Sequence, residues 1–471
     1  MSVTETVVDF KRYEEEIFRK VCELGCSIVK SLLWKWETEL MATRNKGLYR
    51  HKGMRRTTIK TVMGEVEYSR AIYSQKMEDG TTCYVYLLDE AMGKKGSGFM
   101  SALLSEMIAK AACDGSYRAA ARTVSEMTGQ SISHTAAWNV AQDLGRKLDE
   151  QEQEAAALAA KGQGAGKLES KLLFEERDGI WLNLQGKSRQ EHGTGKEMKV
   201  GIAYDGAEKV GKRRYALSNK VAFATFASAK IFRRRKEGAI AAVYNVDEIE
   251  QRVVNGDGAA WIYEGETDEA VHFQLDPFHR NKAVIQYVHD AEARGVIFNL
   301  LHSKQIDLLL TVIQAYADST GDEKERENYL ILHGYFQNNR DGLIPYQQRG
   351  LDLPEPPEGK EYRRMGAMES NIFTIIGNRM KGGRACWSIK GGENLARLLC
   401  LKATGKLAET LRNLTSIVLP DRYAEEIEID MSAAKAPQRD GKGCDGCHHA
   451  SVPSAMTWLK GLASLKPLHE L

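Results

Sequence analysis

Four carboxylates are the residues whose type and spacing could do chemistry: Asp178, Asp257, Asp276 and Glu369. Asp178 interrupts an apolar run, FEERDGIWL, and a carboxylate inside a buried strand is costly unless it is paired or bound to a metal. Asp257 stands between Gly256 and Gly258 at the end of RVVNGDG, where the missing side chains would let backbone or ligand come close. Glu369 follows much later, on an expected helix. Carboxylates on a sheet and a helix offer the hard oxygen ligands that suit Mg2+, and two such ions can clamp the attacking and leaving oxygens of a phosphodiester. In LDPFHRN, Asp276 and His279 lie three apart on one face of a helix start, with Pro277 at its first position. Asp276 is read as that helix's cap or as a further metal ligand, and His279 as a group that steadies a catalytic acid or touches phosphate. Any one of these acids is explained as well by a cap, a turn or a salt bridge. The succession strand, strand end, helix makes a site of Asp178, Asp257 and Glu369.

The elements that must position them are legible by periodicity. From 170 to 290, strands alternate with helices: KLLFEERDGIWLNLQ, EMKVGIAYDG and YALSNKVAFATFA as three hairpin-like strands, a helix over 234–250, RVVNGDGAAWI, then VHFQLDPFHRNKAVIQYV as a strand and a helix. A mixed sheet with helices on its faces is expected, so the fold class is α/β. Residues 290–345 read as mainly helical, LDLPEPPEGK breaks the pattern, and the Glu369 helix and a last helix over 392–413 follow. The domain reading is 1–95 as an N-terminal helix (about 10–40) with a basic and β segment, 96–150 as a helix-turn-helix region, 151–169 as a linker, 170–415 as the catalytic domain with a helical insertion at about 290–360, and 416–471 as an irregular tail.

The N-terminal part carries the features suited to DNA. Residues 41–60 hold seven basic residues and no acid: Arg44, Lys46, Arg50, Lys52, Arg55, Arg56 and Lys60. Two strand-like runs follow, TTIKTVMGEVEYSRAIYS and TCYVYLLDE. SYRAAARTVSEMTGQSISHTAAWNVAQDLG has the layout helix, Gly129 in a tight turn, helix, with Ser131 or Ser133 as the second helix's cap. An ordinary helical hairpin has the same layout. The upstream basic stretch favours the DNA-reading version, in which Ser133, His134 and Asn139 face base edges while Arg44, Arg50, Lys52, Arg55, Arg56 and Lys60 grip phosphates.

Composition bounds the rest. The 471 residues suit two or three domains, 42% of them are apolar and 28% charged, and the net charge is +2. That balance excludes a disordered polyelectrolyte and a wholesale basic protein, so a nucleic-acid surface must be a local patch. The opening MSVTETVVDFKRYEEEIF lacks an apolar export core, no run suits a membrane helix, and eight scattered cysteines are expected reduced, which together point to a cytoplasmic protein. Weaker signals are the cluster Cys444, Cys447, His448 and His449, which could bind zinc but has no second cysteine pair nearby, and basic runs at Arg233–Lys236 and around Arg379, Lys381 and Arg384, which contact phosphate or simply face solvent. Trp261 and Trp387 are expected to pack rather than stack on bases.

The strings YRHKGMRRTTIKTVMGEVEYSR, YVYLLDEAMG, TGQSISHTAAWNV, ERDGIWLNLQ, KVGIAYDG, NGDGAAWI, FQLDPFHRN and MESNIFTIIGNRMKGGRACWSIKGGENLARLL run over nearly the whole chain. In order and number they resemble the ISLre-two family of bacterial insertion-sequence transposases, a Mutator-like group of DDE enzymes. The resemblance implies an RNase H-like catalytic domain with a helical insertion before its last acid. It implies a catalytic, metal-binding triad of Asp178, Asp257 and Glu369 holding two Mg2+ ions, for which Mn2+ can substitute, with Asp276 and His279 auxiliary. It implies a transposase that binds the terminal inverted repeats of its own element, cuts the 3′ ends and joins them to target DNA, as a homo-oligomer paired on DNA ends, in the bacterial cytoplasm with the nucleoid and away from membranes. The alternatives are an RNase H-like nuclease or resolvase without strand transfer, and a non-catalytic DNA-binding regulator. One residue departs from the pattern: Arg177 stands where a small residue is expected before the first acid, either as a DNA contact or as the change of a degenerate copy.

Overall fold

A computed structural model describes residues 10–77, 79–93, 100–263 and 270–415. The chain divides into two compact units, one holding the residues up to Ala102 and the other Leu103–Leu414. The boundary therefore falls near 102, and the helix-turn-helix segment belongs to the same compact unit as the later strands and helices instead of forming a domain of its own at 96–150. The Cys444, Cys447, His448 and His449 cluster, with the whole 416–471 tail, lies outside the described residues.

In the first unit α1 (Phe10–Thr43) precedes a three-stranded antiparallel sheet of β1 (Tyr49–Lys60), β2 (Glu65–Lys76) and β3 (Thr82–Val85), followed by the short α2 (Leu87–Ala91). The run TTIKTVMGEVEYSRAIYS is not one strand. Thr61 turns the chain: its hydroxyl accepts the N–H groups of Met63 and Gly64, and Gly64 sits at positive φ. The basic stretch is thus largely strand β1, paired along its length with β2. Leu33, Trp36, Ile59, Val66, Tyr68 and Leu88 form this unit's core.

The second unit begins with α3 (Ala102–Asp114), α4 (Tyr117–Thr128) and α5 (His134–Ala159). Gly129 ends α4 in the left-handed region (φ 67°) and Ser133 caps α5 by accepting the Ala136 N–H. The expected linker at 151–169 is instead helical as far as Ala159, because Ala156 and Glu152 are held against the sheet domain rather than exposed to water. Then come β4 (Leu172–Asn183), α6 (Gly186–His192), β5 (Gly195–Tyr204), β6 (Ala207–Gly211), β7 (Arg214–Leu217), β8 (Val221–Thr225) and α7 (Ala229–Ala241). YALSNKVAFATFA is two strands, not one, broken where Asn219 adopts positive φ (51°). The helix expected over 234–250 starts and stops earlier, and only a 3-10 turn, Val246–Glu248, follows it. Next are β9 (Gln251–Gly256), α8 (Ala260–Tyr263), β10 (Val271–Leu275), α9 (Pro277–Tyr287), α10 (Ala291–His302), α11 (Ile306–Ser319) and α12 (Glu323–Asn338). The described residues end with β11 (Lys360–Glu361), α13 (Met368–Ile372), one π turn (Phe373–Gly377), α14 (Asn378–Met380), α15 (Ile389–Ala403) and α16 (Leu407–Thr415). The last expected helix is therefore two, separated at Gly405 (φ 73°).

The fold is mixed α/β. Five strands form the main sheet in the order β10-β9-β4-β5-β8, with β5 antiparallel to both of its neighbours, β4 and β8, and β9 and β10 added parallel to β4. Side chains alternate across β4. Leu172, Phe174, Ile180 and Leu182 enter the large core shared with α13 and α15, while Leu173 enters the opposite core with Phe232 and Tyr244. Each such side chain, fully buried, contributes about 1.5–3 kcal/mol. α10, α11 and α12 build a separate core around Ile297, Leu309, Ile313 and Phe336, so the helical insertion is a packed body rather than a loop. Among the described residues no helix is long and apolar enough to cross a membrane.

Candidate active site

Pairing brings the sequence-distant acids to one end of the sheet. β4 is in register with β9 at Glu176 and Asn255, and β9 with β10 at Gly256 and Leu275. Carried past the strand ends, that register sets Asp178 level with Asp257 and Asp257 level with Asp276. This is the carboxyl end of the parallel strands, where open α/β sheets place their sites.

Glu369, in the first turn of α13, meets this row from the core face. Ligand atoms of Asp178, His279 and Glu369 lie within 4.8 Å of one another. His279 Nε2 is 3.1 Å from Glu369 Oε1 and 3.6 Å from Asp178 Oδ2. Two of the three expected triad members therefore converge, and the third apex is the histidine. Asp257 stands beside this group: its Oδ1 accepts the Ala259 N–H at 2.9 Å, and its charge reaches Asp178 and His279. Its backbone carbonyl accepts the Tyr335 hydroxyl at 2.7 Å, so α12 of the insertion fixes this strand end. Gly256 and Gly258 make room for protein, not for a ligand: a side chain at 256 would strike Ile262, and one at 258 would strike Asn339.

Asp276 is the cap of α9. Its Oδ1 accepts the N–H groups of Phe278 (2.8 Å) and His279 (3.3 Å), and its buried Oδ2 accepts from Asn255 (2.7 Å). Those bonds commit both oxygens and orient the helix that carries His279.

The electrostatics are those of crowded, half-buried acids. Burial, then the neighbouring charge of Asp178, pushes the carboxyls of Asp257 and Glu369 up, against the pull of His279. On His279 burial opposes the charged form, but the hydrogen bond and charge of Asp178, with Asp257 and Asp276, outweigh it and raise the imidazole. A cation would relieve this excess of negative charge, and the oxygens of Asp178 and Glu369 are the hard donors that Mg2+ and Mn2+ take, so the residues present fit such an ion.

Two further acids were invisible as site residues. Glu197 on β5 lies over Gly179, where a Cβ would sit 2.1 Å from its Oε1; burial pushes its carboxyl up, Lys199 opposes this, and the charges of Asp257 and Asp178 add to it. The signal available was the glycine directly after Asp178. Glu176 is buried on the Asp178 face of β4. Its carboxylate accepts from Tyr204 (2.7 Å), Asn255 (3.1 Å), and the backbone N–H groups of Gly366 (3.0 Å) and Met368 (3.1 Å). It ties the start of the Glu369 helix to the strand that bears Asp178.

Arg177 is not a DNA contact. It is 2% exposed on the opposite face of β4, donating to Glu175 (2.6 Å) and to the Ile262 carbonyl. Burial alone would push Glu175 up, but Lys236, Arg177 and Arg252 hold it well below the ordinary carboxylate range. Lys236 is thereby also removed from the expected phosphate surface, as is Arg235, which pairs with Asp149 and Glu393. Arg379 is half-buried between Tyr117 and Trp387 and donates to the Ala112 carbonyl. Trp387 is buried, and Trp261 packs edge-on against Phe232.

Of the expected DNA-contacting residues, Arg50, Lys52, Arg55 and Arg56 are exposed on β1. Arg44 instead lies over the Tyr73 ring, and Lys60 is paired with Glu65 at 2.9 Å. On α5, His134 and Asn139 are exposed with Thr135 and Trp138 on the outer face, while the Ser133 hydroxyl is engaged as the cap.

The model of an uncharacterised protein family, UPF0236, matches residues 3–413, and the chain belongs to that family. A UPF0236 protein of Streptococcus gallolyticus, named for its position in the vanSb 3′ region, is 22% identical over 385 residues, 79% of this chain and 77% of the relative. A UPF0236 protein of Caldanaerobacter subterraneus subsp. tengcongensis, whose name joins eleven locus designations, is 23% identical over 409 residues, 86% of this chain and 79% of the relative. A further one from that strain, whose name joins four, is 23% identical over 413 residues, 86% of this chain and 79% of the relative.

Proposed function

We propose that this UPF0236 chain is a DNA transposase of the DDE kind, with an RNase H-like catalytic domain. The observation that carries the reading is the convergence of Asp178 and Glu369, with His279, on one end of a mixed sheet whose next strand end bears Asp257. The five-stranded sheet with helices on both faces supports the RNase H-like assignment, and the resemblance to insertion-sequence transposases supports the reaction. The Caldanaerobacter relative under eleven locus designations supports it independently, since a gene that moves leaves copies of one protein at many places in a genome.

In this reading Asp178, Asp257 and Glu369 would hold Mg2+ or Mn2+, which would supply water activation and neutralise charge on the phosphodiester. Asp257, whose Oδ1 accepts the Ala259 N–H, would supply the third carboxylate from the neighbouring strand end. His279, set between Asp178 and Glu369 with its imidazole raised, would hold a proton there and would compete with a cation for the two acids. Asp276 keeps α9, and with it His279, in place; Glu176 does the same for α13 and Glu369. Arg50, Lys52, Arg55 and Arg56 grip phosphates, and the outer face of α5 with His134 and Asn139 reads the terminal repeats. The protein acts in the bacterial cytoplasm as an oligomer that pairs two DNA ends, cutting 3′ ends and joining them to a target.

The test is nicking and joining of DNA taken from the gene's own flanks, with Mn2+ or Mg2+. Asp178→Asn and Glu369→Gln are expected to abolish nicking and leave binding intact. Nicking without joining would make the protein a nuclease, and an active Asp178→Asn variant would remove the assignment altogether.

A further inference from the structure

Two aromatic rings stand exposed on the helices that carry His279 and Glu369. Phe278 on α9 is 51% exposed and Phe373, at the start of the π turn, is 60% exposed. Each adjoins a different member of the ligand group. Phe278 directly precedes His279, and their rings meet edge to face with centroids 5.4 Å apart. Phe373 lies one turn beyond Glu369, so the two share a helix face. His279 and Glu369 are in turn 3.1 Å apart. The two rings are therefore linked through one contact at the centre of the site.

Neither ring is a core residue displaced outward. α9 buries Ala283 and Val284 on its inner face, and turns Phe278, Lys282 and Ile285 outward. The helix beyond Glu369 buries Ile372, Ile375 and Ile376 and turns out Phe373 and Thr374. Gly377 seats the Phe373 ring: a Cβ there would lie 3.3 Å from the ring edge. A single exposed apolar residue is ordinary. Two rings on the outer faces of the two helices that carry His279 and Glu369 call for an occupant.

We infer that Phe278 and Phe373 stack on nucleobases unpaired beside the scissile phosphate, so that the substrate is DNA opened at the cut. The inference rests on the transposase reading and names what that reading leaves open, the state of the DNA at the active site. A flat, uncharged ring system attached to a phosphate fits what the page offers: aromatic faces for the base, and a cation-holding acidic centre for the phosphate. Lys282, with its ammonium 5.8 Å from the Phe278 ring centroid, adds the positive charge that a strand backbone seeks. Paired bases inside a duplex hide their faces, so the rings have nothing to stack on until pairing is lost.

The experiment compares binding of two probes by the full chain without added metal. One is a fully paired duplex of the gene's flanking end, the other the same duplex forked by mismatches at the cut, each with 2-aminopurine beside it. Wild type is expected to prefer the forked probe. Phe278→Ala and Phe373→Ala should each weaken forked-end binding roughly 5- to 100-fold, with little change for the paired probe, and Phe278→Trp should retain the preference. Both rings are exposed, so unchanged melting of the variants serves as the fold control. Alanine variants that keep the wild-type preference, or a wild type without one, overturn the inference; so does an unchanged DNA profile with loss of a protein partner. Mn2+-dependent nicking is read separately. Nicking by wild type with no effect of the ring variants refutes the stacking and leaves the transposase standing, whereas forked-end preference without nicking keeps the stacking and refutes the enzyme.

Discussion

Removing the Glu176 carboxylate tests whether the site is held from beneath. Glu176→Ala leaves the buried Tyr204 hydroxyl and the Met368 N–H without their acceptor, while Asn255 keeps its second bond to Asp276. Each buried group left unsatisfied costs about 1–3 kcal/mol, so the variant should lose about 2–6 kcal/mol of stability. Glu176→Gln should lose far less. Its amide oxygen can serve the two backbone N–H groups, and the Tyr204 hydroxyl can turn to accept from the amide nitrogen. Burial pushes the Glu176 carboxyl up despite its donors, so a neutral side chain is a fair substitute. The sign follows: the folded state holds this proton more tightly than the unfolded chain does. Its contribution is therefore fully present below the unfolded carboxyl range and declines as pH rises toward the folded value, a decline that Glu176→Gln should erase. Urea denaturation at two pH values reads the stability, and Mn2+-induced stabilisation reads the placement of Glu369. An Ala variant that unfolds at the wild-type urea concentration and still responds to Mn2+ would refute the argument.

Three-way crowding at the site predicts a pH-dependent cation response. At a hundredfold excess over its Kd, Mn2+ should stabilise the protein by about 2.7 kcal/mol, and its Kd should tighten from pH 6 to pH 8, because the raised His279 must lose its proton before the acids take a cation. His279→Asn should flatten that dependence, and survival of the response in Asp178→Asn would place the ion elsewhere. On the basic strand, Arg55→Ala with Arg56→Ala should weaken binding to all DNA sequences and flatten the salt dependence by about one unit per lost phosphate contact; an unchanged slope would take β1 out of the interface.

Much of the sheet was legible because its strands are bounded by turns and rich in β-branched and aromatic residues. The acids were legible because Asp178 and Asp257 violate the apolar pattern of the strands that carry them. What sequence could not give was the face. Glu176, Arg177 and Asp178 are consecutive, yet Arg177 points away from the site into an ion cluster with Glu175, while Glu176 and Asp178 point toward α13. Period-two alternation contains this in principle, but a strand with charge on both faces offers no apolar side from which to count. Nor could spacing reveal that His279 stands among the ligand atoms while Asp257 stands beside them, since that depends on how Asp276 caps α9. The Ala- and Gln-rich segment after residue 150 read as a linker because its partners, Arg397 against Glu152 and Gly238 against Ala156, lie far away in sequence.

That misread segment carries a mechanical consequence. α5 is one unbroken helix: its exposed N-terminal turns hold His134 and Asn139, and its C-terminal half is clamped to the sheet domain. The clamp is an ion cluster centred on the buried Arg397. Arg397 on α15 donates to Glu152 at 2.9 Å, to Glu393 at 3.1 Å and to Asp149, while Arg235 on α7 donates to Asp149 at 2.9 Å and to Glu393 at 2.7 Å. Glu393 also accepts the Thr225 hydroxyl and the Phe226 N–H at the end of β8. On the transposase reading, a helix with its exposed end on the DNA and its other end bolted to the main sheet would fix the distance between the sequence read and the bond cut. Arg397→Met removes one cation from among three acids. Breaking a fully buried pair from one side costs about 3–5 kcal/mol; with Asp149 and Glu152 partly open to water the loss should be smaller, about 1–3 kcal/mol, which for a unit of this size lowers Tm by roughly 2–5 °C. At temperatures where the variant remains folded, the freed helix should still bind the flanking DNA, and the cut should spread over neighbouring phosphodiesters instead of falling at one. Mapping of the 3′ ends on a sequencing gel reads this directly. A variant of lowered Tm that cuts at the same single bond would show that the ion cluster stabilises the fold without setting the measure.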